Sequence, residues 1–84
     1  KEMNKNIIKQ IVLIECKRYL DKTHHHFYQF YNSLYKIVNV FVALKYKDLI
    51  STLINEDIVA NIAEKNAMSI LKELVPLNEL LKSK

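Results

Sequence analysis

The stretch Phe27 to Leu44, FYQFYNSLYKIVNVFVAL, constrains the fold more than any other part of the chain. Apolar side chains recur at Phe27, Phe30, Tyr31, Leu34, Ile37, Val38, Phe41 and Leu44. Steps of three, one and three are the period of one helix face. Gln29, Asn32, Ser33, Lys36 and Asn39 fall together on the opposite side. Tyr28, Tyr35 and Val42, seven apart, make a second stripe beside the first, and Val40 sits close to the polar side. At a rise of ~1.5 Å per residue such a helix is about 27 Å long, the diameter of a small domain. A helix apolar over so wide an arc packs on more than one side. The spacing predicts a central helix over about residues 24–46, with Phe30, Leu34, Ile37 and Phe41 at the centre of the domain.

Glycine is absent from all 84 residues and proline occurs once. Hairpins and tight turns need positive φ, which glycine supplies, so a sheet protein of this size would lack its turns. Helices joined by short polar connections have no such need, and the expected fold is all-α: one domain, a compact bundle of four to five helices. Half of the residues are hydrophobic and 26% are charged, a balance that argues against disorder. The start at Lys1 and the Lys-Ser-Lys ending read as a fragment of a longer protein.

In chain order, residues 1–22 form a first helix, with Ile8, Val12, Cys16 and Tyr19 on one stripe and Ile7, Ile11 and Ile14 on another. Asp21 and Thr23 are the candidate N-caps of the central helix. After Leu44 the polar Lys45-Tyr46-Lys47-Asp48 offers a break, although nothing there forbids the helix from running on to Ile54. Leu49, Ile50, Leu53 and Ile54 make a short helical face. Asn55 is the better cap, with Glu56 and Asp57 suited to the positive end of a new helix. That helix carries Val59, Ile62, Ala63, Asn66, Ala67, Ile70, Leu71 and Leu74 on one stripe and stops at Pro76. Leu77, Leu80 and Leu81 make a last short turn.

Residues 48–81 run as a short helix, Asn-Glu-Asp, a longer helix, then proline and a new start. On Leu49, Leu53, Asp57, Val59, Ala63, Ala67, Leu71 and Leu74 this resembles a unit of a HEAT- or armadillo-type solenoid, or a related small helical bundle of transcription proteins. No second copy of the pattern is visible, as a repeat array would require.

Chemistry-bearing motifs are few. His24, His25 and His26 are consecutive, and three neighbours on a helix point about 100° apart, so they do not converge on one zinc ion. The single Cys16 excludes an intramolecular disulfide framework and, on an apolar strip, reads as an inert core thiol. There is no phosphate-binding glycine loop, no HExxH and no nucleophile in a recognisable setting. The expectation is a protein without enzymatic activity, metal, cofactor or small-molecule substrate. The longest apolar run in the central stretch, Val40 to Leu44, is far below the ~18 residues of a membrane span. With no secretory signal visible, the expected location is intracellular.

The net charge of +4 raises nucleic-acid binding. Residues 1–47 hold nine Lys/Arg against three acids (+6), and residues 48–84 four against six (−2). Residues 62–69 resemble the first helix and turn of a helix-turn-helix, with Asn66 where glycine is usual. They lie in the acidic half, which phosphate repels. The alternative function is therefore nucleic-acid contact through the basic half, at Lys17, Arg18, Lys45 and Lys47. The preferred expectation is a module that binds another protein or a second copy of itself, as scaffold or oligomerisation element. Its surplus apolar surface lies at Tyr28, Tyr35 and Val42, at Leu77, Leu80 and Leu81, and at Ile7, Ile11 and Ile14.

Overall fold

The computed structural model describes residues 2–46 and 53–75. Among these there are three helices and no strand: α1 (Glu2–Lys17), α2 (Phe27–Lys45) and α3 (Glu56–Leu74). Four contacts fix how they are arranged. The Ile54 N–H donates to Asn4 Oδ1 at 3.4 Å and the Asn55 N–H to the Tyr46 hydroxyl at 3.0 Å. The start of α1, the end of α2 and the start of α3 therefore share one end of the bundle. Towards the other end, the Tyr19 ring meets Phe30 edge-on at 6.3 Å, and Arg18 reaches Glu64 of α3 at 3.7 Å. The three helices run up, down and up around one core.

Each boundary has a local cause. Where the sequence predicts helix to residue 22, α1 stops at Lys17. The Arg18 and Tyr19 N–H groups close back three residues, on the Glu15 and Cys16 carbonyls, the tightening common at a helix end. This turn sends Leu20 into the core, where it is 2% exposed. Asp21 and Thr23 do not cap α2. Asp21 Oδ1 accepts the Thr23 N–H inside the turn, and the cap is His26, with no side-chain bond. The helix ends at Lys45 and does not run on to Ile54: Tyr46 is extended (φ −111°, ψ 117°), its N–H closing on the Val42 carbonyl. Asn55 caps α3 as expected, accepting the Asp57 and Ile58 N–H groups at 2.8 and 3.4 Å, with Glu56 and Asp57 against the positive end. Val75 is extended (φ −125°, ψ 121°), the region into which a following proline forces its predecessor.

The described residues hold three of the expected four to five helices. Leu53, Ile54 and Asn55 are not helical; positions 47–52, with Lys47, Leu49 and Ile50, and the leucines Leu77, Leu80 and Leu81 lie outside the described residues. Residues 62–69 contain no helix-turn-helix turn. They are the interior of α3, and Asn66 donates through Nδ2 to the Ile62 carbonyl at 2.7 Å.

The core follows one rule in all three helices. Buried positions recur every four residues: Asn4, Ile8, Val12 and Cys16 on α1; Phe30, Leu34, Val38 and Val42 on α2; Val59, Ala63, Ala67 and Leu71 on α3. At 3.6 residues per turn a step of four advances about 40° around the helix. A row of such steps is inclined by about 26° to the axis. The buried face therefore winds around α2 instead of running straight along it. This corrects the expected centre. Phe30 and Leu34 are wholly enclosed, but Ile37 is half-buried and Phe41 is 44% exposed, while Val42, read as surface, is fully buried. The small Ala63 and Ala67 let α3 approach its neighbours closely at mid-bundle, and the large Phe30 and Leu34 fill the space, contributing about 1.5–3 kcal/mol each.

Candidate interaction surfaces

The winding row uncovers the far flank of α2 as it proceeds. Ile37, Val40, Phe41 and Leu44 stand at i, i+3, i+4 and i+7, on one face. Ile37 is half-buried, and Val40 is 58%, Phe41 44% and Leu44 75% exposed. Leu53, 69% exposed, lies at the same end of the bundle, two residues before the Asn55 amide that Tyr46 holds. Lys36 and Lys45 are exposed; in helical phase they border this stripe on its two sides, each about 90° from its middle. No acidic residue occurs anywhere in α2.

The expected tyrosine stripe divides. Tyr28 is exposed and Tyr35 half-buried, while Val42 is enclosed in the core and has no surface to offer a partner. Tyr35 stacks on Tyr31 with ring centroids 6.0 Å apart and planes within 8°. The Tyr31 hydroxyl is pushed above the usual phenol range by burial, then by Tyr35, Cys16 and Tyr28. These tyrosines thus gather against the α1 side of the bundle. Cys16 is buried, and its thiol is pushed up to about 12 by burial and by the neighbouring Glu15 charge. Thiolate is the reactive form, and burial holds this thiol in its protonated, less reactive form at neutral pH.

A second apolar feature lies on α1. Ile7, Ile11 and Ile14, with Asn6, Gln10 and Glu56, line an open cleft of about 550 Å³. Ile14 is 61% exposed, whereas Ile7 and Ile11 pack partly against the core. Of the isoleucine surface expected from the sequence only Ile14 is mainly exposed, and the cleft reaches the first turn of α3 through Glu56.

The charged residues of the nucleic-acid alternative do not gather. Arg18 Nη1 sits 3.2 Å from Glu15 and 3.7 Å from Glu64, so its charge is shared between two carboxylates. Lys17 ends α1 and Lys45 ends the antiparallel α2, which puts them at opposite ends of the bundle. The histidines precede α2 instead of opening it. Their rings lie against one another with centroids 4.2–5.7 Å apart, and His24 Nδ1 is occupied by the His26 N–H at 3.0 Å. Among the described residues no three His, Cys, Asp or Glu side chains are placed to share one ion, and no helix is long and apolar enough to cross a membrane.

Two buried polar residues, Asn4 and Glu15, escaped the reading of the sequence. The signal for Asn4 was its place four residues before Ile8 on the α1 row. Glu15 carried none, since it depends on Arg18 turning back from the end of the helix. Val40, too, gave a clue only in company: alone it borders the polar side, but with Ile37, Phe41 and Leu44 it completes a face. No protein-family model, curated protein or solved structure matches this chain.

Proposed function

We propose that the chain is a non-catalytic helical module that binds another protein or a second copy of itself, and that its contact surface is the C-terminal flank of α2. One observation carries this reading: Val40, Phe41 and Leu44 form an exposed apolar face on a helix that buries Phe27, Phe30, Leu34, Val38 and Val42 in the core. Contiguous exposed apolar patches on small proteins mark partner sites, and an aromatic ring beside aliphatic side chains suits the centre of an interface. The resemblance of residues 48–81 to a HEAT- or armadillo-type unit, or to a small helical bundle of transcription proteins, belongs to the same reading. It predicts one or two additional short helices beyond α1–α3. Molar mass from light scattering, measured for the chain and for Leu44→Glu, tests the self-binding form. Association that Leu44→Glu removes without lowering the melting temperature supports it, and association unchanged by Leu44→Glu moves the surface elsewhere, first to the α1 cleft.

The second reading, nucleic-acid contact through the basic half, rests on the exposed Lys5, Lys9 and Lys17 of α1 with Lys36 and Lys45 of α2. Such binding would be weak, steeply salt-dependent and indifferent to sequence. Charge reversal at Lys17 or Lys45 should weaken it more than reversal at Arg18, whose charge Glu15 and Glu64 already share.

A further inference from the structure

We infer that the partner of the α2 flank is an acidic amphipathic helix supplied by another protein. The inference rests on the reading of that flank as the contact surface and adds the chemistry of its occupant. The face has the form that receives a helix: Ile37, Val40, Phe41 and Leu44 span two turns, and an amphipathic segment binds through apolar anchors at the same spacing. Among the described residues of α2, the charges beside this face have one sign. Lys36 and Lys45 stand on either side, and α2 contributes no carboxylate. The neighbouring half of α3 does not reverse this. Glu56 is drawn to the α1 cleft and Glu64 to Arg18, both on the α1 side. Lys65, three residues beyond Ile62, is exposed, and Asp57 is exposed in the first turn at the capped end of α3.

The same charges argue against a second copy as occupant. Two α2 flanks brought face to face would set Lys36 and Lys45 of one chain against those of the other. Like charges across an interface oppose association, whereas a partner with Glu or Asp beside its apolar anchors meets complementary charge on both sides.

The test uses the whole chain and two labelled synthetic peptides of about 18 residues, long enough for a helix of about 27 Å. Both carry Leu at i, i+3, i+4 and i+7; one has Glu and the other Lys at the remaining positions. Fluorescence anisotropy should show the Glu peptide binding at least about tenfold more tightly than the Lys peptide. The affinity should fall several-fold between about 50 and 300 mM salt, as screening of exposed charges requires. Leu44→Glu should abolish binding with an unchanged melting temperature, and Lys36→Glu with Lys45→Glu should reverse the preference between the peptides. Equal binding of both peptides, binding of neither, or binding indifferent to Leu44→Glu overturns the inference. Light scattering separates this from failure of the broader reading: self-association lost in Leu44→Glu, with no peptide preference, keeps the surface and replaces the acidic partner with a second copy.

Discussion

Two stripes of α2, each with seven-residue spacing, exchange places along the helix. Phe30, Ile37 and Leu44 begin fully enclosed, pass through half-burial and end at 75% exposure. Tyr28, Tyr35 and Val42 run the other way, from 72% exposed through half-buried to fully enclosed. Both stripes consist of large aromatic or aliphatic side chains, and in a straight coiled-coil seam each would keep one status along its length. The exchange follows from the row of fours, which advances about 40° per step and crosses from one stripe to the other. An apolar side chain on α2 therefore belongs to the core or to the surface according to its height along the helix as well as its face.

The sharpest way to break this comparison is to put a charge at each end of the tyrosine stripe. Val42→Glu should unfold the chain, because an unpaired carboxylate in the core costs more than about 4 kcal/mol, a large part of the stability of a small domain. Tyr28→Glu should change stability by less than about 0.5 kcal/mol, as surface substitutions do. Urea titration followed by circular dichroism measures both. A folded Val42→Glu, or an unfolded Tyr28→Glu, would mean that the stripe runs straight.

Truncation of the other stripe gives the next largest contrast. Phe30→Ala should cost about 3–5 kcal/mol and Leu44→Ala less than about 0.5 kcal/mol, although both are large apolar residues on one predicted face. Equal costs would place Leu44 in the core. This pair also shows what could be read from the chain. Helical class, the Asn55 cap, the α3 stripe and the buried Cys16 were legible, because each depends on residues within one or two turns of each other. The assignment of Phe41 and Val42 was not, since they are adjacent and both apolar. Only the placement of α1 and α3 decides which of them is covered. The clue was present in the shared spacing of four at Ile8, Val12 and Cys16 and at Val59, Ala63 and Ala67, but a single helix read alone fits a three-and-four pattern equally well. The candidate surface is not legible for the same reason: Ile37, Phe41 and Leu44 read as core, and Val40 as the border of the polar side.

Cys16, on the α1 row beside Tyr31, reports whether the seam between the two stripes is dry. Its thiol titrates near 9 when unburied and is pushed up to about 12 in the fold, by burial first and by Glu15 second. The folded state therefore holds the proton more tightly. Stability is fully present below about pH 9 and falls by about 1.4 kcal/mol per pH unit as pH rises from there towards 12. Tyr19 and Tyr31, also raised by burial, add to the decline only above about pH 10. Thermal melts across this range should show the decline, and Cys16→Ala should be less steep between pH 9 and 10. An aromatic disulfide reagent should label Cys16 only under unfolding conditions. Rapid labelling of the native chain would show that water reaches the seam.

The smallest effect concerns the joint at the end of the α2 flank. The Tyr46 hydroxyl accepts the Asn55 N–H at 3.0 Å, and so ties the end of α2 to the cap of α3. Tyr46→Phe keeps the ring, which packs against the core, and removes this one bond. An intramolecular hydrogen bond of this kind contributes about 0.5–1.5 kcal/mol net; at an exposed position, where water replaces the lost partner, the lower value is expected. Amide exchange at Asn55 should quicken accordingly, while exchange in the middle of α2 and α3 should not change. The informative quantity is what happens to Leu44. If the joint merely fastens two ends that the row of fours already sets apart, Leu44 stays exposed and association through it persists in Tyr46→Phe. If the joint itself holds the flank open, the variant should be as stable as the parent or more so, because Leu44 and Phe41 gain cover on release, and association should weaken in step. The winding of the core predicts the first result, since what exposes Leu44 is the drift of the buried face from Phe30 to Val42 and not a single bond at the end of the helix.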